Sequence, residues 1–175
     1  MKILMSFALI IATMAVGGNA AFAQSPAGCT DRIYNAQDFS LGHWDVYMDG
    51  KKIAEVIMEK KLDGCTISER WIAPEGQKGN GLGLFVYSSL VKAWHYLWTS
   101  DTGATTAFSG QITKPNEILY ITEKPLENGK KRLRHWTLSL LPNGNVREFS
   151  VGTEDQGQSW TTEYDVLWVK KSAGQ

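Results

Sequence analysis

"HWDVYMDGKK", residues 43–52, alternates apolar and polar side chains and then stops at Asp49-Gly50. Trp44, Val46 and Met48 fall on one face of an extended chain, and Asp-Gly is a strong signal for a tight hairpin turn. The same grammar continues outward. "AEVIMEKKLDG" (residues 54–64) ends in a second Asp-Gly, and "CTISERWIAP" (residues 65–74) puts Cys65, Ile67, Glu69 and Trp71 in one row before Pro74. A glycine-rich stretch, "EGQKGNGLG", leads into "LFVYSS". "AWHYLWTSDTG" then sets Trp94, Tyr96 and Trp98 on one side, with His95 opposite. Further alternating segments follow to Lys171, punctuated by Asn128-Gly129 and Asn143-Gly144.

The period is two almost throughout, and no stretch carries the 3.6-residue period of a helix. About ten short strands joined by tight turns read as an antiparallel meander. An open sheet of that length leaves two bare edges, so closure into an up-and-down barrel is expected, with a two-sheet sandwich as the alternative.

The first residues read differently. Met1-Lys2 precedes an uncharged apolar run over residues 3–16, and Ala21-Phe22-Ala23 offers small residues where a signal peptidase reads. The run is too short for a membrane anchor. The expected organisation is a cleaved leader over residues 1–23, an arm over 24–38 and one barrel domain over 39–171. That places the chain in the periplasm or outside the cell. Losing the leader removes only Lys2 from 18 basic residues, against 18 acidic ones. A near-neutral chain without a basic stripe has no electrostatic footprint for nucleic acid or anionic lipid. In an oxidising compartment Cys29 and Cys65 are expected to pair, and closing that loop is worth about 3 kcal/mol on the chain-entropy model.

"TEDQGQSW", residues 153–160, has the form of a sialidase Asp-box. Those motifs recur on successive propeller blades of four strands each, and this chain has one copy and too little length. It is read as a hairpin turn: Asp155 caps backbone N–H groups, Gly157 takes a positive φ and Trp160 packs on the hairpin.

Glu69 is the sharpest anomaly. It shares its face with Ile67 and Trp71, so an inward face would bury a carboxylate and raise its pKa. Arg134 shares a face with Arg132 and Trp136, with His135 on the other; Arg147 shares one with Phe149 and Val151. His43, His95 and His135 are scattered, with no spacing for a zinc site. A haem needs only one histidine, yet nothing in the pattern calls for one, and no cofactor or metal is expected. P-loop, G-x-G-x-x-G and G-x-S-x-G motifs are absent from the sequence.

Several segments resemble, in order, a family of small exported bacterial proteins: "FSLGHWDV", "LDGCTISERW", "GLGLFVY", "KAWHYLWTSDTG", "RHWTL", "GNVREFS" and "TEDQGQSWTTEYDVLW". It is a domain-of-unknown-function family with a lipocalin-like or calycin-like barrel, and the resemblance spans residues 39–170. It implies an aromatic-lined interior and a small ligand, with no agreed activity. This chain departs from the family's usual Gln at Tyr96 and at Glu148, so ligand identity does not transfer.

The expected function is binding of a small hydrophobic or aromatic molecule, with an anionic group admitted by the arginines. Trp44, Trp71, Tyr87, Trp94, Tyr96, Trp98, Trp136, Arg147 and Tyr164 are the candidate binding residues. The competing class is a cofactor-free lyase or isomerase with Glu69 as base, Arg134 or Arg147 as charge stabiliser and His95 or His135 as proton shuttle. A filled barrel serving as an interaction module is the third reading.

Overall fold

The computed structural model describes residues 28–127 and 129–171. The expected leader, the first residues of the arm and Asn128 lie outside them. Ten antiparallel strands form a closed up-and-down barrel: β1 (Gly42–Met48), β2 (Lys51–Lys61), β3 (Thr66–Ile72), β4 (Gly81–Ser88), β5 (Ala93–Ser100), β6 (Thr105–Lys114), β7 (Glu117–Pro125), β8 (Lys131–Leu140), β9 (Val146–Thr153) and β10 (Thr161–Lys170). Each strand pairs with its neighbours in sequence, and β1 closes on β10 with Trp44 opposite Lys170 and Val46 opposite Trp168. Closure leaves no bare edge, which a meander of this length requires.

Alternation decides what points inward. Trp44 and Val46 of β1, Ile67 and Glu69 of β3, and Trp94 and Tyr96 of β5 are buried, as their shared faces anticipate. β4 begins at Gly81, inside the stretch read from sequence as a glycine-rich lead-in. Its inward positions are Gly81, Gly83 and Phe85. A Cβ on Gly81 would meet the Trp98 ring at 2.0 Å, and one on Gly83 would meet Glu69 Oε2 at 2.4 Å. These glycines make room for large neighbours on the adjacent strands.

The two ends of the barrel differ. At one, the arm folds under as two short 3₁₀ turns, Arg32–Asn35 and Asp38–Ser40. Gln37 is fully buried and accepts a hydrogen bond from the Tyr120 hydroxyl at 2.5 Å, while the Trp44 indole donates to the Ser40 carbonyl at 2.8 Å. The Cys29–Cys65 disulfide, with Cα atoms 4.9 Å apart, and the Lys60–Asp38 ion pair hold the arm to the wall. Phe85, Tyr96, Tyr120 and Trp136 form an aromatic layer across the middle, with Phe85 and Tyr96 stacked at 4.1 Å and the Tyr96 and Trp136 rings tilted by 30° at 4.7 Å. Below it lies a core of buried side chains, among them Trp44, Val56, Met58, Ile118, Leu138 and Trp168; above it the barrel opens.

"TEDQGQSW" is a turn between β9 and β10. Asp155 accepts from the Ser159 amide at 2.9 Å, Gly157 has φ +90° and its amide donates to Thr153 Oγ1 at 3.1 Å. Trp160 packs on His135 of β8, ring centres 4.4 Å apart.

Candidate functional site

The open end holds a cavity of about 470 Å³. Its rim carries Met48, Ile53, Trp71, Trp98 and Thr106; its walls are Phe108, Trp136, Tyr164 and Val166; Glu69, Tyr96 and Glu148 form the floor. Trp71 and Trp98 meet edge to face across β3 and β5 at 6.5 Å. A volume of several hundred Å³ with apolar walls and a few placed polar groups is the usual form of a small-molecule site.

Glu69 is 3% exposed. Its Oε2 accepts the Tyr96 hydroxyl at 2.7 Å. Burial pushes its pKa up to about 8; the Tyr96 bond opposes that rise and nearby Glu148 adds to it. Glu148 is 6% exposed, and each oxygen takes an indole N–H, from Trp136 and Trp168, both at 2.9 Å. Burial raises its pKa also, against those indole bonds and one from Tyr164. Both carboxyls therefore favour the protonated form relative to free glutamate.

Glu163, near the mouth, behaves oppositely. Burial works to raise its pKa, yet Ser150, Arg132 and Arg134 together hold it below the ordinary value. Arg132 Nε and Nη2 donate to Glu163 Oε1 at 2.9 and 2.7 Å, Ser150 Oγ donates to Oε2 at 2.8 Å, and Arg134 Nε also pairs with Oε2. Arg132 reaches out to Glu154 as well, at 2.7 Å. The mouth thus carries a compensated set of charges, and Arg134 enters the cavity already paired.

The candidates from sequence separate into three groups. Glu69, Trp71, Tyr96, Trp98, Arg134, Trp136 and Tyr164 line the cavity together. Trp44, Tyr87 and Trp94 belong to the packed half: Trp44 lies 6.4 Å from Trp168, and Tyr87 lies 5.9 Å from Trp94 and 5.4 Å from Tyr34 of the arm. They do not line the cavity. Arg147, His95 and His135 are outside the barrel, correcting the roles expected of them. Arg147 donates to Asp165 at 2.8 and 2.7 Å and lies over Phe149 on the outer wall. His95 is exposed, and His135 is covered by Trp160, with burial lowering its pKa. Neither imidazole can pass a proton to Glu69.

The Arg147 misplacement has a specific cause. β9 carries apolar side chains on both faces, and the inward set is Val146, Glu148 and Ser150. The more polar face turns in because Trp136 and Trp168 bring two indole donors that need an acceptor. Strict alternation in β10 would turn Glu163 away from the face of Tyr164. A bulge between Thr162 and Tyr164 breaks strict alternation in β10, so consecutive Glu163 and Tyr164 both reach the cavity.

Among the described residues, no group of three or more His, Cys, Asp and Glu side chains converges to hold a metal ion, and no helix is long and apolar enough to cross a membrane. No protein-family model matches the chain, and no curated protein matches it. The family resemblance rests on the sequence motifs alone.

Proposed function

We propose that this protein is an exported, lipocalin-like barrel that holds a small apolar or aromatic molecule in its open cup. One observation carries the reading: a cavity of about 470 Å³ whose walls are indole, phenyl and phenol rings and whose floor is polar. The Cys29–Cys65 bridge suits an oxidising compartment, and the leader-like residues 1–23 point the same way. The floor does not favour an anion, since its carboxyls would face it and Arg134 is already paired with Glu163.

The lyase or isomerase reading retains Glu69 and Arg134 and loses both histidines, so it lacks a proton relay to the outside. Binding asks less of the same groups and is preferred.

The test uses N-phenyl-1-naphthylamine, a neutral probe that brightens in apolar surroundings. Its emission is expected to rise saturably with one site per chain, and Thr106→Phe, which fills the rim, is expected to abolish the rise. No saturable rise, or a rise that Thr106→Phe leaves unchanged, would place any binding elsewhere and reject the cup.

A further inference from the structure

Resting on the cup as a binding site, we infer that its ligand carries a cationic nitrogen, an amine or quaternary ammonium, that sits among the aromatic rings against Glu69 and Glu148. The charge inventory of the cavity leads there. At the mouth, the guanidiniums of Arg132 and Arg134 are matched by Glu163 and Glu154. Deeper in, the two carboxyls have only neutral donors: Tyr96 for Glu69, and Trp136, Trp168 and Tyr164 for Glu148. Among the described residues, the floor therefore holds no cation to balance these carboxyls when they ionise.

Its walls complement the same ligand. Trp71, Trp98, Phe108 and Trp136 present rings to one space, and the negative faces of aromatic rings attract cations, most strongly when water is excluded. An anion would meet carboxyls and a guanidinium already engaged. A neutral molecule would gain the apolar walls and leave the floor's charge capacity unused.

A cation arriving beside Glu69 favours its ionised form, so the proton held by burial is released on binding. The groups facing Glu69 are Tyr96 from β5, Tyr120 from β7 and Glu148 from β9; Tyr164 from β10 acts on Tyr96 and Glu148, and Arg134 from β8 lines the same cavity paired with Glu163. Burial raises the pKa of each of the three tyrosines, which keeps them neutral near pH 8. Glu148 shifts in the same sense as Glu69. Raising the pH towards 8 therefore adds negative charge to the floor and strengthens cation binding.

Three probes sharing one naphthylethyl body separate the outcomes: a trimethylammonium, an alcohol and a carboxylate head. The ammonium keeps its charge at every pH, so any pH dependence belongs to the protein. Calorimetry on the mature chain is expected to give the ammonium an affinity at least tenfold above the alcohol, with the carboxylate weakest. The ammonium's affinity is expected to climb between pH 6 and 8, and Glu69→Gln to remove most of both effects. If Glu69→Gln does not fold, the wild-type pH profile and proton release in buffers of different ionisation enthalpy carry the decision. Equal or tighter binding of the alcohol or carboxylate overturns the cationic ligand and leaves the cup standing. A preference for ammonium that ignores both pH and Glu69→Gln overturns the assignment to Glu69. Failure of all three probes to bind overturns the cup itself.

Discussion

Glu69 is held in the protein's interior at the expense of its charge. Below its ordinary pKa of 4.5 the carboxyl is protonated in both folded and unfolded chains. Between there and about 8 the unfolded chain ionises while the folded one keeps its proton. The unfolded state then binds fewer protons, so this residue's contribution to stability falls as pH rises, by up to about 1.4 kcal/mol per pH unit. Glu69→Gln keeps the shape without the titration. In urea unfolding, the stability of the variant relative to wild type is expected to rise steadily from pH 5 to pH 8; a constant difference would contradict the buried, protonated carboxyl. Gly83 supports the same point sterically. A methyl there would lie 2.4 Å from Glu69 Oε2 and 2.6 Å from the Tyr96 ring, both in a packed floor. Gly83→Ala is expected to destabilise by about 1–3 kcal/mol through overpacking, read from the urea midpoint, and to weaken probe binding.

At the scale of strands, regular alternation carried some of the site and irregularity hid the rest. β3 and β5 are regular, and "CTISERW" and "AWHYLW" display Glu69 with Trp71, and Tyr96 with Trp98, as residues of one face, which the burial of Ile67 and Trp94 turns inward. β9 offers two plausible faces, and what selects between them is a pair of indole donors from β8 and β10, which no local pattern reveals. β10 slips by one residue at its bulge and brings in Glu163. In β4 the inward glycines have no side chain to report their direction; their meaning appears only when Trp98 and Glu69 are seen beside them. The Glu163 cluster yields a prediction of its own. Glu163→Gln leaves Arg134 and Arg132 without their shared carboxylate, so the mouth becomes cationic. The naphthyl carboxylate probe is expected to bind at least several-fold tighter to this variant than to wild type, and the ammonium probe more weakly; unchanged selectivity would mean that the mouth charges do not act on the ligand. Because the bonds from Ser150, Arg132 and Arg134 outweigh burial and lower the Glu163 pKa, the cluster's contribution is present above the ordinary carboxylate value and fades as the pH falls from there towards the lowered folded value.

The whole molecule divides its labour along the barrel axis. The lower half, with Trp44, Trp168, Phe85, Ile118 and Leu138 buried and the arm pinned beneath, is a conventional core. The disulfide fixes that arm by closing a loop spanning 36 residues in sequence. Cys29→Ser with Cys65→Ser is expected to lower stability by about 3–4 kcal/mol on the chain-entropy model and to speed hydrogen exchange at the Trp44 indole, whose acceptor is in the arm. The upper half sacrifices packing to keep an open, aromatic-walled space, and the central claim is that this space is a binding site. The indole N–H resonances of the seven tryptophans test it directly, because they sample both halves and the outside. On saturation with the trimethylammonium probe, Trp71, Trp98 and Trp136 are expected to shift in a two-dimensional ¹H–¹⁵N spectrum, while Trp44, Trp94 and Trp160 hold their positions. Unmoved cavity indoles, or a response confined to Trp160 on the outer wall, would contradict the cup.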